Sequence, residues 1–292
     1  VRRGTRWRRR GTAELNQAVA DPAVDPERGP RRKGLVFGEV ADLYDRARPG
    51  YADELVDDVL SFAGVAKPEI VEVGSGTGKA TVPFAKRAAR LVALEPNAEM
   101  ARVAARRCEA LANVTIERTT FEEWEPGERR FDVLVSAQAW HWVNPAVGYP
   151  KAHAVLRPAG VLALLWHRSV WGEGPLRDQM LAVYEAVVPD FLAATPTFPG
   201  LVMTEADGRR PAEIESSGVF GEVEVHSHGW EHEYTTQEYL ELLGTQSDHV
   251  LLDASTRSDL FGRVESVLDG AGGRVIVPYV THLFLARRLP AR

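Results

Sequence analysis

One stretch narrows the possible folds more than any other: Val71-Glu72-Val73-Gly74-Ser75-Gly76-Thr77-Gly78-Lys79. The apolar run from Glu69 to Val73 enters it and a helical pattern follows. A strand that ends in closely spaced glycines and turns at once into a helix needs positive φ values and bare backbone at the turn. In a parallel sheet such a turn lies at the carboxyl end of a strand, where ligands bind. The neighbouring sequence repeats the alternation. Helical spacing runs through Tyr51 to Ala63, Lys79 to Ala89 and Asn97 to Leu111. Short apolar runs occupy Leu91 to Leu94, Val114 to Ile116, Phe131 to Val135 and Gly160 to Leu165. The pattern predicts an α/β fold with a Rossmann-like, mostly parallel seven-stranded sheet and helices on both faces.

After Trp166 the alternation breaks. Residues 170 to about 215 carry Pro175, Pro189, Pro196 and Pro199 in helical and irregular sequence, which predicts a helical cap insertion. Val223 to Trp230 reads as a strand, Thr236 to Leu243 and Ser255 to Leu268 as helices. Arg274 to Val280 then leads into a final strand at Leu283 to Ala286. One domain is expected over residues 34–292. Residues 1–33 are basic and proline-rich, and read as a disordered tail.

The glycine spacing separates ligand classes. A dinucleotide fingerprint is G-x-G-x-x-G, whereas Gly74, Gly76 and Gly78 bring the third glycine one residue early. A phosphate-binding P-loop needs Ser or Thr after its lysine, and Lys79 is followed by Ala80. Glu95 closes the second strand, 95 − 74 = 21 residues after the first glycine. That is where an acidic side chain reads a ribose hydroxyl pair, and a carboxylate can accept from both hydroxyls. Together the turn and Glu95 favour an adenosine-type ligand.

Composition removes several classes. The net charge of −6 gives no broad cationic field for nucleic acid or anionic lipid. No stretch approaches the roughly 20 apolar residues of a membrane span. Cys108 is the single cysteine, which excludes an intramolecular disulfide and a cysteine-ligated metal and suits a reducing cytoplasm. No Asp/His cluster reads as a catalytic metal site, so no metal is expected.

Glu72 to Gly78, followed by Glu95-Pro96-Asn97, resembles motif I and the acidic strand end of class I S-adenosylmethionine-dependent methyltransferases. Phe131 to Trp142 is similar to that family's fourth strand and following loop, and Val155 to Leu162 to the turn before its fifth strand. Phe37 to Tyr51 and Leu242 to Ser247 resemble a bacterial branch that includes enzymes similar to trans-aconitate methyltransferase. The resemblance extends over roughly residues 34–290. It implies S-adenosyl-L-methionine as cofactor. Gly74, Ser75, Gly76 and Gly78 would border its methionine and ribose, with Ala137 and Gln138 closing the site from the fourth strand. Glu72 would anchor the amino end and Glu95 the ribose, while Pro96, Asn97 and Met100 flank the adenosine. Thr120 and Phe121 occupy the adenine-contacting stretch, where Phe121 departs from the family's usual acidic residue. Tyr44 and Arg48 would close the site from the N-terminal side, Arg48 meeting either the cofactor carboxylate or an acidic substrate.

An activated methyl needs alignment with its acceptor more than it needs further chemistry. His141 is the candidate general base for a hydroxyl acceptor, and a carboxylate acceptor needs none. Trp140, Trp142, Trp166, His167, Trp171 and Ser247 are candidate pocket walls, suited to a mostly apolar small molecule. Ser136-Ala137-Gln138-Ala139 lacks the Asn/Asp-Pro-Pro-Tyr/Phe loop usual in amino methylation of nucleic-acid bases. The expected activity is methyl transfer to a carboxylate or hydroxyl oxygen of a small molecule. A nicotinamide-dependent oxidoreductase and a non-catalytic nucleoside-binding protein on the same fold are the alternatives. The sequence leaves the oligomeric state open.

Overall fold

The computed structural model describes residues 41–194 and 205–290. The expected tail at 1–33, the segment 34–40 and residues 195–204 of the expected cap lie outside the described residues.

Among the described residues, helices α1 (Ala41–Ala47) and α2 (Asp53–Ala63) precede the sheet. Leu55, Val56 and Val59 form the buried stripe of α2, at the spacing that puts side chains on one helix face. Then β1 (Glu69–Val73), α3 (Thr81–Ala85), β2 (Arg90–Leu94), α4 (Ala98–Arg107), β3 (Val114–Glu117), β4 (Phe131–Ala137), α5 (Pro145–Val155) and β5 (Leu156–Ser169) follow in turn. Where a cap is predicted stand α6 (Pro175–Val187), α7 (Pro189–Ala194) and α8 (Glu205–Ser216). The chain continues through β6 (Glu224–Thr235), α9 (Thr236–Gly244), the single turn α10 (Ser247–Val250), α11 (Ala254–Gly270) and β7 (Arg274–Arg287).

The seven strands form one sheet in the order β3-β2-β1-β4-β5-β7-β6. Pairings from β3 to β5 are parallel. The sheet is nonetheless mixed, because β7 pairs antiparallel with both β5 and β6. The cause is the route between β6 and β7. Thr235 at the end of β6 lies opposite Arg274 at the start of β7, and Thr236 N–H donates to Gly273 C=O. The connection through α9 to α11 therefore leaves and returns at one end of the sheet, and β7 must run back along β6.

Helices cover the central strands on both faces, so those strands read as continuous apolar runs rather than alternating ones. One core face holds Val71, Val73, Leu94, Leu134, Trp166 and Phe284. The other holds Ile70, Leu91, Ala93, Val133, Leu165 and Leu283. Each fully buried aliphatic side chain contributes about 1.5–3 kcal/mol. A third cluster packs α6, α9 and α11 against the far ends of β6 and β7, with Met180, Tyr184, Leu243, Leu260, Val264 and Val275 inside. Thr235 and Glu238 form a reciprocal capping box that starts α9. This third cluster stands beyond the carboxyl ends of the parallel strands and walls the space above them.

Candidate functional site

The glycine turn is held by backbone bonds to the neighbouring strand. Gly74 and Ser75 N–H both donate to Leu94 C=O, at 2.9 and 3.0 Å. Gly74 has φ 70°, and a Cβ there would lie 2.4 Å from the Ala139 Cβ. Only glycine permits both that backbone and that approach of the loop after β4. Gly76, at φ 56°, faces open space: nothing lies within 4 Å of a Cβ built on it. The turn therefore offers a bare backbone surface with room beside it.

Glu95 is 7% exposed and its carboxylate points into the turn, not into solvent. Oε2 accepts from Gly76 N–H at 2.8 Å and Oε1 from Asn97 N–H at 2.9 Å. Each oxygen keeps a further acceptor site for a hydroxyl. Asn97 caps α4, its side-chain oxygen accepting from Glu99 and Met100 N–H. Pro96 is exposed, and Met100 is buried behind the cap.

Glu72 lies at the end of β1, 1% exposed. Thr81 Oγ1 donates to its Oε2 at 2.6 Å, while its Oε1 is buried with no partner. Burial pushes this carboxyl up to about 7; the Thr81 bond opposes the shift and the nearby Glu95 adds to it. Burial likewise raises Glu95 above the usual carboxylate range, against the two backbone N–H bonds. Ser75 Oγ and Thr77 Oγ1 are also buried without partners. Buried polar atoms left unpaired are costly, and here they line one turn. A carboxylate for an ammonium, a carboxylate for a ribose and an open backbone shelf are what S-adenosylmethionine would require, so the residues fit it.

From the other side, β4 brings Ala137 and Gln138. Gln138 has φ 59°, a conformation that strains a residue other than glycine. Its N–H donates to Leu165 C=O at 2.8 Å, and its side-chain amide to His167 C=O at 3.2 Å. The strained residue is thus pinned to β5.

His167 anchors a second group of side chains. Its Nε2 lies 3.2 Å from Gly50 C=O and its Nδ1 2.7 Å from Thr281 Oγ1. A carbonyl can only accept, so Nε2 carries the hydrogen and Thr281 donates to Nδ1. Thr281 in turn accepts from Trp230 Nε1 at 2.9 Å. Burial pushes His167 down to about 4, which keeps the ring neutral. Tyr51 stacks on it at 4.4 Å between ring centroids, and Trp230 stacks on Tyr279 at 4.3 Å.

Arg48 enters this group from the loop after α1. Nε donates to Thr245 Oγ1 at 2.8 Å and Nη2 to Thr245 C=O at 3.0 Å. Its guanidinium lies 5.2 Å from the Tyr44 ring centroid. Its charge bears on Tyr51, His167, Tyr234, His249 and Tyr279. Among the described residues no carboxylate lies within ion-pair distance of it.

The other predicted residues are distributed as follows. Trp171 and the half-buried Ser247 belong to the wall above the sheet. His141 is exposed and lies against the Trp142 ring at 4.5 Å. Trp140 and Trp166 lie in the core cluster on the face of β5 opposite His167, since successive strand residues alternate. Phe121 packs there with Trp124 and Trp140, and Thr120 Oγ1 bonds the Glu123 carboxylate and N–H. The structure adds Gly50, Tyr51, Trp230, Thr245, Tyr279 and Thr281, which sequence reasoning missed as site residues. Gly50, Tyr51 and Thr245 stand inside the segments that carry the family resemblance; Trp230 joins Thr281 across 51 residues and Thr281 joins His167 across 114, so Trp230, Tyr279 and Thr281 leave no local signal.

Residues 70–160 match the family described as a methyltransferase domain. An uncharacterized methyltransferase of Mycobacterium tuberculosis is 28% identical over 256 residues, covering 86% of this chain and 95% of that protein. The structure of a putative type II methyltransferase from Anaeromyxobacter dehalogenans superposes with a TM-score of 0.60 at 22% identity, covering 84% of this chain and 99% of that one. A phosphoethanolamine N-methyltransferase 2 from Haemonchus contortus, solved with S-adenosylhomocysteine, gives 0.51 at 14% identity over 87% of this chain and 58% of that one. These folds are what the chain is similar to.

Proposed function

We propose that this S-adenosylmethionine-dependent methyltransferase esterifies a small organic acid, with Arg48 receiving the acceptor's anionic end. The reading rests on one observation: a guanidinium held by Thr245, set among aromatic rings and with no carboxylate partner among the described residues. Such a cation attracts an anion, and the rings around it suit an apolar body. Bound S-adenosylmethionine supplies the activated methyl. The chain's own part is to bind, orient and exclude water. Glu72 and Glu95 would hold the two ends of the cofactor, Gln138 and the glycine turn would fix its approach, and Arg48 would set the acceptor against it. Good orientation alone can contribute about 7–11 kcal/mol to lowering a barrier.

A carboxylate oxygen loses no proton when methylated. That agrees with a buried His167 that is neutral and engaged at both nitrogens. A hydroxyl acceptor is the second reading, with the exposed His141 as its base. The two segments behind the branch resemblance support a relation to trans-aconitate methyltransferase-like enzymes, because Arg48 in the first grips Thr245 in the second. On the acidic charge and lone buried cysteine we also infer a cytoplasmic enzyme whose partner is a small molecule rather than nucleic acid or membrane. No helix among the described residues is long and apolar enough to cross a membrane.

The test is methyl transfer with labelled cofactor against panels of carboxylic acids and phenols. Arg48→Gln should raise KM for the acid at least tenfold and leave cofactor affinity unchanged. Transfer to neutral hydroxyls alone would overturn the acid assignment. Loss of cofactor binding in the variant would instead place Arg48 on the cofactor's own carboxylate.

A further inference from the structure

We propose that Asp58, His226 and His228 form a binding site for one divalent transition-metal ion of the zinc class, on the sheet edge away from the glycine turn. His226 and His228 alternate along β6, so both rings project from the same face of the strand. That face meets α2, which supplies Asp58. Asp58 Oδ2 lies 2.8 Å from His226 Nδ1 and 2.9 Å from His228 Nε2. Two imidazoles already aim a ring nitrogen at one carboxylate oxygen, and the three ligand atoms lie within 4.8 Å of one another.

Zinc bound at 2.0–2.2 Å in tetrahedral geometry separates its ligand atoms by about 3.4 Å. The His226 and His228 contacts to Asp58 need only open by about half an ångström each to admit the ion. The donor set decides the class of metal. Two imidazoles and one carboxylate suit zinc and its transition-metal neighbours, whereas magnesium and calcium prefer oxygen alone.

Two further features fit an ion. Glu224 Oε2 lies 3.5 Å from Nε2 of His226, the nitrogen that faces away from Asp58. A carboxylate on the far nitrogen orients a ligating imidazole and strengthens it as a donor. Side-chain exposures of 33% for His226, 31% for His228 and 34% for Asp58 leave an entry path and room for water as the fourth ligand. The ion would tie the outermost strand to α2. Trp230 lies two residues further along β6, so the tie would also stiffen the wall that carries the Trp230–Thr281–His167 chain.

The test uses the full chain without a histidine tag, titrated with Zn2+ against a chromophoric chelator and separately with Co2+. We expect one Zn2+ per chain with micromolar or tighter affinity, and visible Co2+ absorption of four-coordinate strength. His226→Gln and His228→Gln should each weaken Zn2+ at least tenfold and abolish the Co2+ bands. Glu224→Gln should weaken Zn2+ less, and Mg2+ should not compete. S-adenosylmethionine binding in the same samples should stay unchanged, so that a loss reports the site and not unfolding. No Zn2+ binding at micromolar concentration, Zn2+ affinity undiminished in the His226/His228 double variant, or equal competition by Mg2+ would each overturn the assignment.

Discussion

The role proposed for Glu72 would make cofactor binding depend on pH in a calculable way. Its carboxyl is buried at the end of β1 and raised to about 7, with one oxygen unpaired. A carboxyl raised in the fold above its unfolded value of 4.5 binds more protons in the native state than in the unfolded one. Its contribution to stability is therefore full below pH 4.5 and is lost as pH rises through about 7. The interval corresponds to roughly 3 kcal/mol for this group alone. A cationic amine placed on Oε1 reverses the preference, because it favours the ionised form. Cofactor affinity should then fall about tenfold for each pH unit below 7 and level off above it. Glu95, also raised by burial, adds a smaller slope of the same sign. Calorimetric titration of S-adenosylmethionine between pH 5 and 7.5 reads the slope directly. Glu72→Gln should remove most of it, weaken binding at pH 7.5, and raise the melting temperature of the cofactor-free chain above pH 7. A variant that keeps the full slope, or wild-type affinity that does not vary with pH, would refute the role given to Glu72.

Three further outcomes follow from particular contacts. Gly74→Ala places a Cβ 2.4 Å from that of Ala139 at φ 70°; it should cost about 1–2 kcal/mol for the backbone alone and abolish cofactor binding, with Ala139→Gly partly restoring stability in denaturant melts. Asp207 is fully buried and receives Arg168 Nε and Nη2 at 2.6 and 2.8 Å. Asp207→Ala should destabilise by about 3–5 kcal/mol in urea unfolding, since it strands a guanidinium. Thr235→Ala removes the capping box of α9 and should cost about 1 kcal/mol, seen as a lower urea midpoint with unchanged slope.

The glycine turn and its carboxylate were legible because their determinants are local. The glycine turn and Glu95 stand within one βα unit, and the structure joins them through Gly76 N–H. The strand positions also emerged, because doubly buried strands give short apolar runs. The helix expected over Lys79 to Ala89 shrinks to Thr81–Ala85 around Pro83. No helix is expected over α5, whose Pro145, Gly148 and Pro150 interrupt the helical pattern. Its signal was Asn144 before Pro145, a cap followed by the first helical position, where proline is favoured. The final strand expected at Leu283 to Ala286 is longer than that: β7 runs unbroken from Arg274 through Pro278. Val170 N–H donates to Pro278 C=O, so the proline's missing N–H points toward β5, whose ladder ends at the neighbouring Ser169–Tyr279 pair.

The chamber proposed for the acceptor was hidden because nothing local defines it. Arg48 meets Thr245, His167 meets Thr281, and Trp230 meets both Thr281 and Tyr279. These partners come together only because β7 returns between β5 and β6, bringing the second half of the chain over the ends of the parallel strands. A backbone turn must keep its shape to hold a nucleoside, and that need is written in closely spaced glycines. An acceptor chamber assembled from side chains of α1, β5, β6, α9 and β7 can change at any one wall without disturbing the turn. On the proposed reading, variation in β6 or in the α6–α8 segment should alter which acceptor is methylated while leaving cofactor binding, assigned to Glu72, Gly76 and Glu95, unchanged.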